Sequence, residues 1–146
     1  MIENIKKITN KSLKLYEGDL CNKELVEKIF KENRIDAVIH FAGFKAVGES
    51  VAKPLIYYRN NIDSTLTLLE VMGENNCKKI VFSSSATVYG NPERLPIDEN
   101  CHLSVTNPYG ATKLYIEGIL KERLDIIVPA VMKQSQSDAW IVASKE

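Results

Sequence analysis

The stretch Lys79-Ile80-Val81-Phe82-Ser83 decides the fold class, because an apolar run on consecutive positions is typical of a strand buried on both faces. Asp36-Ala37-Val38-Ile39-His40-Phe41 has the same character and ends at Ala42-Gly43. Between the two runs, Pro54 suits the first turn of a long helix that reaches about Asn75. Two buried strands on either side of a helix predict parallel strands joined by a right-handed crossover.

The same alternation continues on both sides of this unit. The further predicted elements are a short strand at Leu13–Glu17, a helix from Lys23 to about Asn33 capped by Asn22, a loop at Ser84–Thr106, a helix from Asn107-Pro108 to about Arg123, and a strand at Leu124–Val128 that stops at Pro129. Alternating strands and helices predict an α/β fold with a doubly wound parallel sheet.

Composition excludes several classes of protein. The chain has 146 residues, 45% of them hydrophobic, and 19 Lys plus Arg balance 19 Asp plus Glu. This composition supports one globular domain and argues against disorder, a nucleic-acid partner or a membrane partner. Cys21, Cys77 and Cys101 share no CxxC spacing, so neither a disulfide framework nor a metal site is expected. A reducing, cytoplasmic setting fits this cysteine usage.

A tyrosine and a lysine on the last predicted helix are a candidate acid–base pair. Tyr109 and Lys113 are four residues apart, which puts them on one face of the helix. A nearby ammonium favours the tyrosinate, so the pair is a plausible general base toward a hydroxyl proton. The alternative is an ordinary Tyr and Lys on a helix surface.

Ligands of doubly wound sheets bind beyond the carboxyl ends of the strands. Ser83–Thr87 follows one buried strand. Its hydroxyls either contact a substrate or hydrogen-bond the free backbone groups where the strand ends. Gly43, Lys45 and Gly48 follow the other strand and form either a ligand loop or an ordinary turn. Asn60-Asn61 lies inside a predicted helix, where a partner for asparagine is expected, although solvent would also serve. His40 is interpreted as a core residue.

Three motifs carry a resemblance to a known family. They are Ile39-His40-Phe41-Ala42-Gly43-Phe44-Lys45-Ala46-Val47-Gly48-Glu49-Ser50, Phe82-Ser83-Ser84-Ser85-Ala86-Thr87-Val88-Tyr89-Gly90 and Pro108-Tyr109-Gly110-Ala111-Thr112-Lys113. Their order and residues resemble UDP-glucose 4-epimerases of the extended short-chain dehydrogenase/reductase group, over about Leu13 to Leu124. The resemblance implies a Rossmann-type NAD domain followed by a smaller domain that grips a UDP-sugar.

The resemblance also implies a role for each matching residue. Tyr109 would take the proton of the sugar 4-hydroxyl, Lys113 would hold the nicotinamide ribose and lower the pKa of the tyrosine, and Ser85 would bond the 4-oxygen. The implied NAD contacts are Asp19, Phe41, Ala42, Gly43, Lys45, Asn60, Ser83, Tyr109 and Lys113. The implied contacts to UDP-glucose or UDP-galactose are Lys45, Ser85, Thr87 and Tyr109. Ala86 and Thr87 stand where 4,6-dehydratases carry an acid–base Asp-Glu pair, which argues against a dehydratase.

The sequence departs from the family pattern at both ends. It contains no GxxGxxG turn, and we expect it to begin after the second strand of the family fold and to stop before the UDP-sugar domain. Residues 1–128 are predicted to form a partial Rossmann-type NAD-binding domain without the first two strands, and residues 129–146 remain an unassigned tail. Such a chain is expected to be a weakly active or inactive epimerase.

The expected departures have consequences for partners and topology. The strand at 36–41 would show an open apolar edge, so we predict either direct pairing with 13–17 or a detached amino-terminal segment. The alternatives to the epimerase reading are a non-catalytic remnant that associates with itself as a homodimer or with a full-length homologue, and another UDP-sugar 4-epimerase.

Overall fold

The computed structural model describes residues 7, 8, 10 and 14–122, together with the backbone of 127–134 and 140–144. The elements in chain order are α1 (Lys23–Glu32), β1 (Val38–His40), α2 (Val47–Ala52), α3 (Pro54–Tyr58), a π-helical turn (Arg59–Asp63), α4 (Ser64–Glu74), β2 (Lys79–Ser85), a 3₁₀ turn (Ala86–Tyr89), α5 (Pro108–Glu122), β3 (Ile127–Gln134) and β4 (Trp140–Ser144).

The strands form one sheet in the order β1-β2-β3-β4. β1 pairs with β2 in parallel, with Val38 opposite Ile80 and His40 opposite Phe82. β2 pairs with β3 in parallel, and β4 returns antiparallel to β3. The predicted α/β fold with a parallel sheet is therefore confirmed, and the carboxyl ends of β1 and β2 lie side by side.

Apolar faces of α1, α4 and α5 cover the sheet. Asn22 caps α1 as predicted, since its side chain accepts a hydrogen bond from the Leu25 N–H at 3.2 Å. The buried apolar cluster comprises Val26, Leu68, Leu69, Val71, Met72, Cys77, Ile80, Phe82, Ile116 and Leu120. His40 is buried against Phe82, with ring centroids 5.6 Å apart, so its interpretation as a core residue is confirmed.

The long helix predicted from Pro54 is divided by a π-helical turn. Pro54 occupies the first turn of α3 as predicted, but Arg59–Asp63 adopts π-helical geometry before α4 begins at Ser64. An added residue in a helix rotates the side chains beside it, and such turns are frequent at functional sites. Here the turn contains Asn60 and the buried Asn61.

The amino-terminal strand prediction is wrong where the structure describes it. Residues 14–17 form no strand, and Leu13 lies outside the described residues. Tyr16 donates to Glu32 at 2.8 Å, and Lys14 contacts Glu32 and Asn33. The segment is thus neither paired with β1 nor detached, because the polar end of α1 binds its side chains.

The last predicted strand also differs from the structure. Leu124 lies outside the described residues, and β3 runs through Pro129 to Gln134 rather than stopping at the proline. Part of the unassigned tail forms β4. In the described part of the chain, no helix combines the length and apolar character that a bilayer crossing requires.

Candidate active site

The end of β2 continues directly into a 3₁₀ turn, and Ser85 stabilises that junction. The Ser85 Oγ accepts hydrogen bonds from the Thr87 N–H at 3.3 Å and from the Thr87 hydroxyl at 3.0 Å. A serine hydroxyl carries one hydrogen and two acceptor lone pairs. With both lone pairs engaged, the single hydrogen of Ser85 is directed away from Thr87.

The start of α5 is fixed by three contacts. Asn107 caps the helix by accepting from the Gly110 N–H at 2.8 Å, and the buried Ser50 accepts from the Tyr109 N–H at 3.2 Å. Gly110 allows the helix to approach the 3₁₀ turn, since a Cβ at this position would lie 2.9 Å from the Thr87 carbonyl oxygen. These contacts bring Tyr109 to the serine cluster.

Lys113 lies on the same side of α5 as Tyr109. Its Nζ donates to the Ser83 carbonyl oxygen at 2.9 Å and lies 4.7 Å from the Phe82 ring centroid and 5.9 Å from that of Tyr109. Burial lowers the pKa of Lys113 to about 8. Because an ammonium has three N–H donors and Ser83 takes one, Lys113 keeps donor capacity toward a ligand.

The pKa of Tyr109 is raised above its ordinary value in this structure. Burial is the main cause, and an interaction with the Ser85 side chain acts in the opposite direction. The expected lowering by Lys113 is not what sets this pKa, because the lysine Nζ is held at the Ser83 carbonyl rather than at the phenol. In the protein as described, Tyr109 therefore holds its proton at neutral pH.

A buried carboxylate also attaches α5 to β2. Glu117 is 4% exposed and accepts a hydrogen bond from the Ser84 hydroxyl, which is 2% exposed. Glu117 lies one helical turn beyond Lys113, on the same face of the helix. The helix is thus bound to the strand at Ser83 and at Ser84, on either side of one peptide unit.

The loop after β1 is far more open than the end of β2. Phe41, Ala42, Gly43 and Lys45 are all exposed, and Gly43 has a φ of +143°, which L side chains rarely adopt. The next residue, Phe44, hydrogen-bonds through its backbone to the Asn61 side chain. The predicted glycine loop is therefore held by the π-helical turn.

Asp19 and Asn60 lie near the same turn. Asp19 accepts from the Cys21 N–H at 2.8 Å, and the Cys21 thiol contacts the Asn60 carbonyl oxygen at 3.9 Å. The Asn60 side chain donates to Asn61 at 3.0 Å. An apolar cavity of about 450 Å³ opens beside them and is lined by Cys21, Phe44, Leu55, Ile56, Arg59, Asn60 and Asp63.

Three polar residues of the site received no role from the sequence. Ser50, Glu117 and Asn61 are buried, and each bonds a residue of the loop, the strand end or α5. Asn61 is the one with a sequence signal, since asparagine inside a helix predicts a partner. In the sequence, nothing distinguishes Ser50 and Glu117 from ordinary helix residues.

The arrangement combines a phenol, a hydroxyl and an ammonium at one strand end. Such a set can move a proton to or from a substrate hydroxyl and hold a polyhydroxylated ligand beside it. Among the described residues, no cluster of His, Cys, Asp and Glu suited to a metal ion is present.

Comparisons with known proteins identify the family of the chain. A family model described as GDP-mannose 4,6 dehydratase matches residues 1–124. The chain is 58% identical over 121 residues to the UDP-glucose 4-epimerase of Bacillus subtilis. The matched region covers 83% of this chain and 36% of that relative. It thus spans about a third of the length of the curated relatives that it matches.

Solved structures give the same result. The UDP-glucose 4-epimerase of Bifidobacterium longum, in complex with NAD+ and UDP, is 52% identical with a TM-score of 0.81, covering 92% of this chain and 40% of that one. The UDP-Glc/GlcNAc 4-epimerase of Campylobacter jejuni is 36% identical with a TM-score of 0.76, covering 83% and 36%. The resemblance to UDP-glucose 4-epimerases is therefore confirmed, and the chain belongs to the family that the GDP-mannose 4,6 dehydratase model describes.

Proposed function

We propose that this chain carries the proton-transfer site and part of the NAD site of a UDP-glucose 4-epimerase, which interconverts UDP-glucose and UDP-galactose. The observation that carries the proposal is the meeting of Tyr109, Lys113 and Ser85 at the carboxyl end of β2. Similarity to epimerases over 83% of the chain supports it. The proposal includes a cytoplasmic setting, which the cysteine usage favours.

The residues described fit the ribose and nicotinamide end of NAD. Lys113 has donors for vicinal ribose hydroxyls, and Ser83, Asn60 and the exposed loop Phe41–Lys45 border the same sheet edge. Gly43 allows a backbone conformation that a side chain would disfavour. We assign Phe41, Ala42, Gly43, Lys45 and Asp19 to the remaining length of the dinucleotide. When bound, NAD would supply an acceptor and donor of hydride for C4 of the sugar.

The protein side of the reaction is proton transfer at the sugar 4-oxygen. Ser85 donates its one uncommitted hydrogen to the phenolic oxygen of Tyr109 or to the sugar, while Thr87 fixes the Ser85 rotamer. Tyr109 receives the 4-hydroxyl proton as the C4–H bond breaks and gives it back when that bond re-forms. Because its ordinary state here is the neutral phenol, Tyr109 must first release its proton to solvent, and the hydrogen bond from Ser85 favours that release. Lys45 would contact the UDP-sugar.

A labelled substrate tests this proposal. The purified chain, supplied with NAD and UDP-galactose deuterated at C4, should yield UDP-glucose that keeps deuterium at C4, because the hydride returns to the carbon from which it left. UDP-glucose that lacks the label would contradict the mechanism. No product from a chain that binds NAD would show that the described residues do not suffice for turnover.

A second candidate is association without catalysis. The exposed apolar residues of β1 and the following loop, including Ile39 at 62% exposure, suit a homodimer or pairing with a full-length homologue. Light scattering of the purified chain, alone and mixed with the full-length homologue, tests this candidate. A monomer in both samples counts against it.

A further inference from the structure

The side chain of Asn61 uses its whole hydrogen-bonding capacity at the centre of the site. Asn61 is 1% exposed. Its Nδ2 donates to the Phe44 carbonyl oxygen at 3.0 Å and to the Thr112 hydroxyl at 3.0 Å. Its Oδ1 accepts from the Phe44 N–H at 2.7 Å and from the Asn60 amide at 3.0 Å. An amide offers two donor hydrogens and two acceptor lone pairs, so each is engaged once.

One part of this network binds the backbone of the loop after β1. Asn61 bonds both the N–H and the C=O of Phe44, as a neighbouring strand would. Its Oδ1 would lie 3.2 Å from a Cβ placed on Gly43. The side chain therefore sets the conformation of the Gly43-Phe44 peptide, which lies between the proposed NAD contacts Ala42 and Lys45.

The other part of the network reaches α5. The Thr112 hydroxyl that accepts from Asn61 donates in turn to the Tyr109 carbonyl oxygen at 2.7 Å. Thr112 is fully buried and stands beside Lys113. A continuous series of hydrogen bonds thus joins the loop, through one amide, to the first turn of the helix that carries Tyr109.

We propose that Asn61 is a positioning residue that fixes the Gly43-Phe44 peptide relative to Tyr109 and Lys113, so that the dinucleotide loop and the proton-transfer residues keep one geometry. The π-helical turn directs Asn61 into this position. The backbone carbonyl oxygen of Asn61 accepts a hydrogen bond from the Thr65 hydroxyl at 2.8 Å. This inference rests on the proposed function where it concerns NAD binding. The role of Asn61 in fixing the loop relative to α5 does not depend on NAD.

Hydrogen exchange and NADH binding together test the role. In Asn61→Ala, the Phe44 amide should exchange about tenfold faster, and the Kd for NADH should rise about tenfold, since the loop loses its partners. The amide of Val71, in the core of α4, should be unchanged. Asn61→Asp keeps the acceptor for the Phe44 N–H, loses both donors and sets an oxygen against the Phe44 carbonyl oxygen, so changes in the same direction are expected from this second variant.

Asn75→Ala is the matched control. Asn75 also donates from its side chain to a backbone oxygen, but this oxygen is that of Val71, at 2.8 Å, and the contact lies at the far end of α4. It should leave Phe44 exchange and the Kd for NADH unaltered. Unchanged Phe44 exchange in the Asn61 variants, equal acceleration at Val71, or an unaltered Kd would overturn the role. A wild-type chain that fails to bind NADH would instead count against the proposed function, while the exchange data would still decide the position of the loop.

Discussion

The carboxyl ends of β1 and β2 are neighbours in the sheet, but their side chains are held differently. Ser83, Ser84 and Ser85 at the end of β2 are 9%, 2% and 6% exposed and are bonded to α5 or to the 3₁₀ turn. After β1, Phe41 and Phe44 are 56% and 44% exposed. The proposed proton-transfer residues are thus fixed by the packing of this chain, whereas the proposed NAD loop relies on Asn61 and on a ligand.

This contrast indicates which residues must be ordered by the binding free energy of a ligand. Groups that are already oriented lose little freedom when a ligand binds, whereas exposed loop residues must be ordered at that moment. Mutations at the end of β2 should therefore change the chemical step, and mutations after β1 should change cofactor affinity.

The largest expected effect follows from removing the phenolic hydroxyl at the end of β2. Tyr109→Phe should lower epimerisation about 10²–10⁴-fold, which is the usual contribution of a positioned acid–base group. The measurement is the rate of UDP-galactose conversion at saturating NAD.

Tyr115→Phe is the matched control on the same helix. Tyr115 is 54% exposed and packs against Tyr58, with ring centroids 6.3 Å apart. Its loss of a hydroxyl should leave the rate unaltered. Equal losses in the two variants would remove Tyr109 from the mechanism.

The next effect concerns β1 and its buried histidine. The Thr65 hydroxyl donates to Asn61, so His40 Nε2 must donate to Thr65 over their 2.9 Å contact. Burial and the nearby Lys113 lower the pKa of His40 to about 4 from 6.5. The unfolded chain then binds more protons between these values, so stability falls as pH decreases from about 6.5 to 4, by about 3 kcal/mol.

Urea unfolding at pH 7, 5.5 and 4 checks this dependence on His40. His40→Gln should flatten the decrease, and His102→Gln, at an exposed loop position, should leave it intact. The same slope in His40→Gln as in the wild type would show that other groups cause the acid destabilisation.

A pair of glycines in α5 tests the close approach at the end of β2. Gly110→Ala should destabilise the protein by about 1–3 kcal/mol, since its Cβ would press on the Thr87 carbonyl oxygen. A Cβ on Gly118 meets nothing within 4 Å among the residues that the structure describes, so Gly118→Ala should stabilise by about 1 kcal/mol through helix propensity. Thermal unfolding measures both. Changes of the same sign would contradict the described approach of α5 to the 3₁₀ turn.

The smallest effect is a shift in the titration of Tyr109. Burial raises the pKa of Tyr109, and Ser85 lowers it. Ser85→Ala should therefore raise the pKa of Tyr109 further, as followed by NMR of ring-labelled tyrosine. A Tyr109 pKa that is unchanged or lower in Ser85→Ala would show that the two side chains do not interact.

Local sequence signals predicted the elements that build the site. The apolar runs predicted β1 and β2, and the caps Asn22 and Asn107 predicted the starts of α1 and α5. Tyr109 and Lys113 were proposed as a pair from their helical spacing, which is a local property, and that they share one side of α5 agrees with this spacing. The pairing partners of the 14–17 segment and the length of β3 depend on tertiary contacts, and local pattern did not predict them.

The polar network that holds the site was harder to predict. Glu117 and Ser50 are buried through contacts with residues 33 and 59 positions away in the chain. The raised pKa of Tyr109 depends on burial, which the hydrogen bond with the Ser85 side chain opposes. A motif states which residues are present but not these contacts.

Reduction of the nicotinamide in a single turnover tests the central claim most directly. The chain saturated with NAD is mixed with UDP-glucose, and the absorbance of reduced nicotinamide is followed in the wild type and in Tyr109→Phe. The account predicts that the reduced form appears in the wild type and that its appearance slows about 10²-fold or more in the variant. Equal rates in the two proteins, or no reduction by a wild type that binds both ligands, would contradict it.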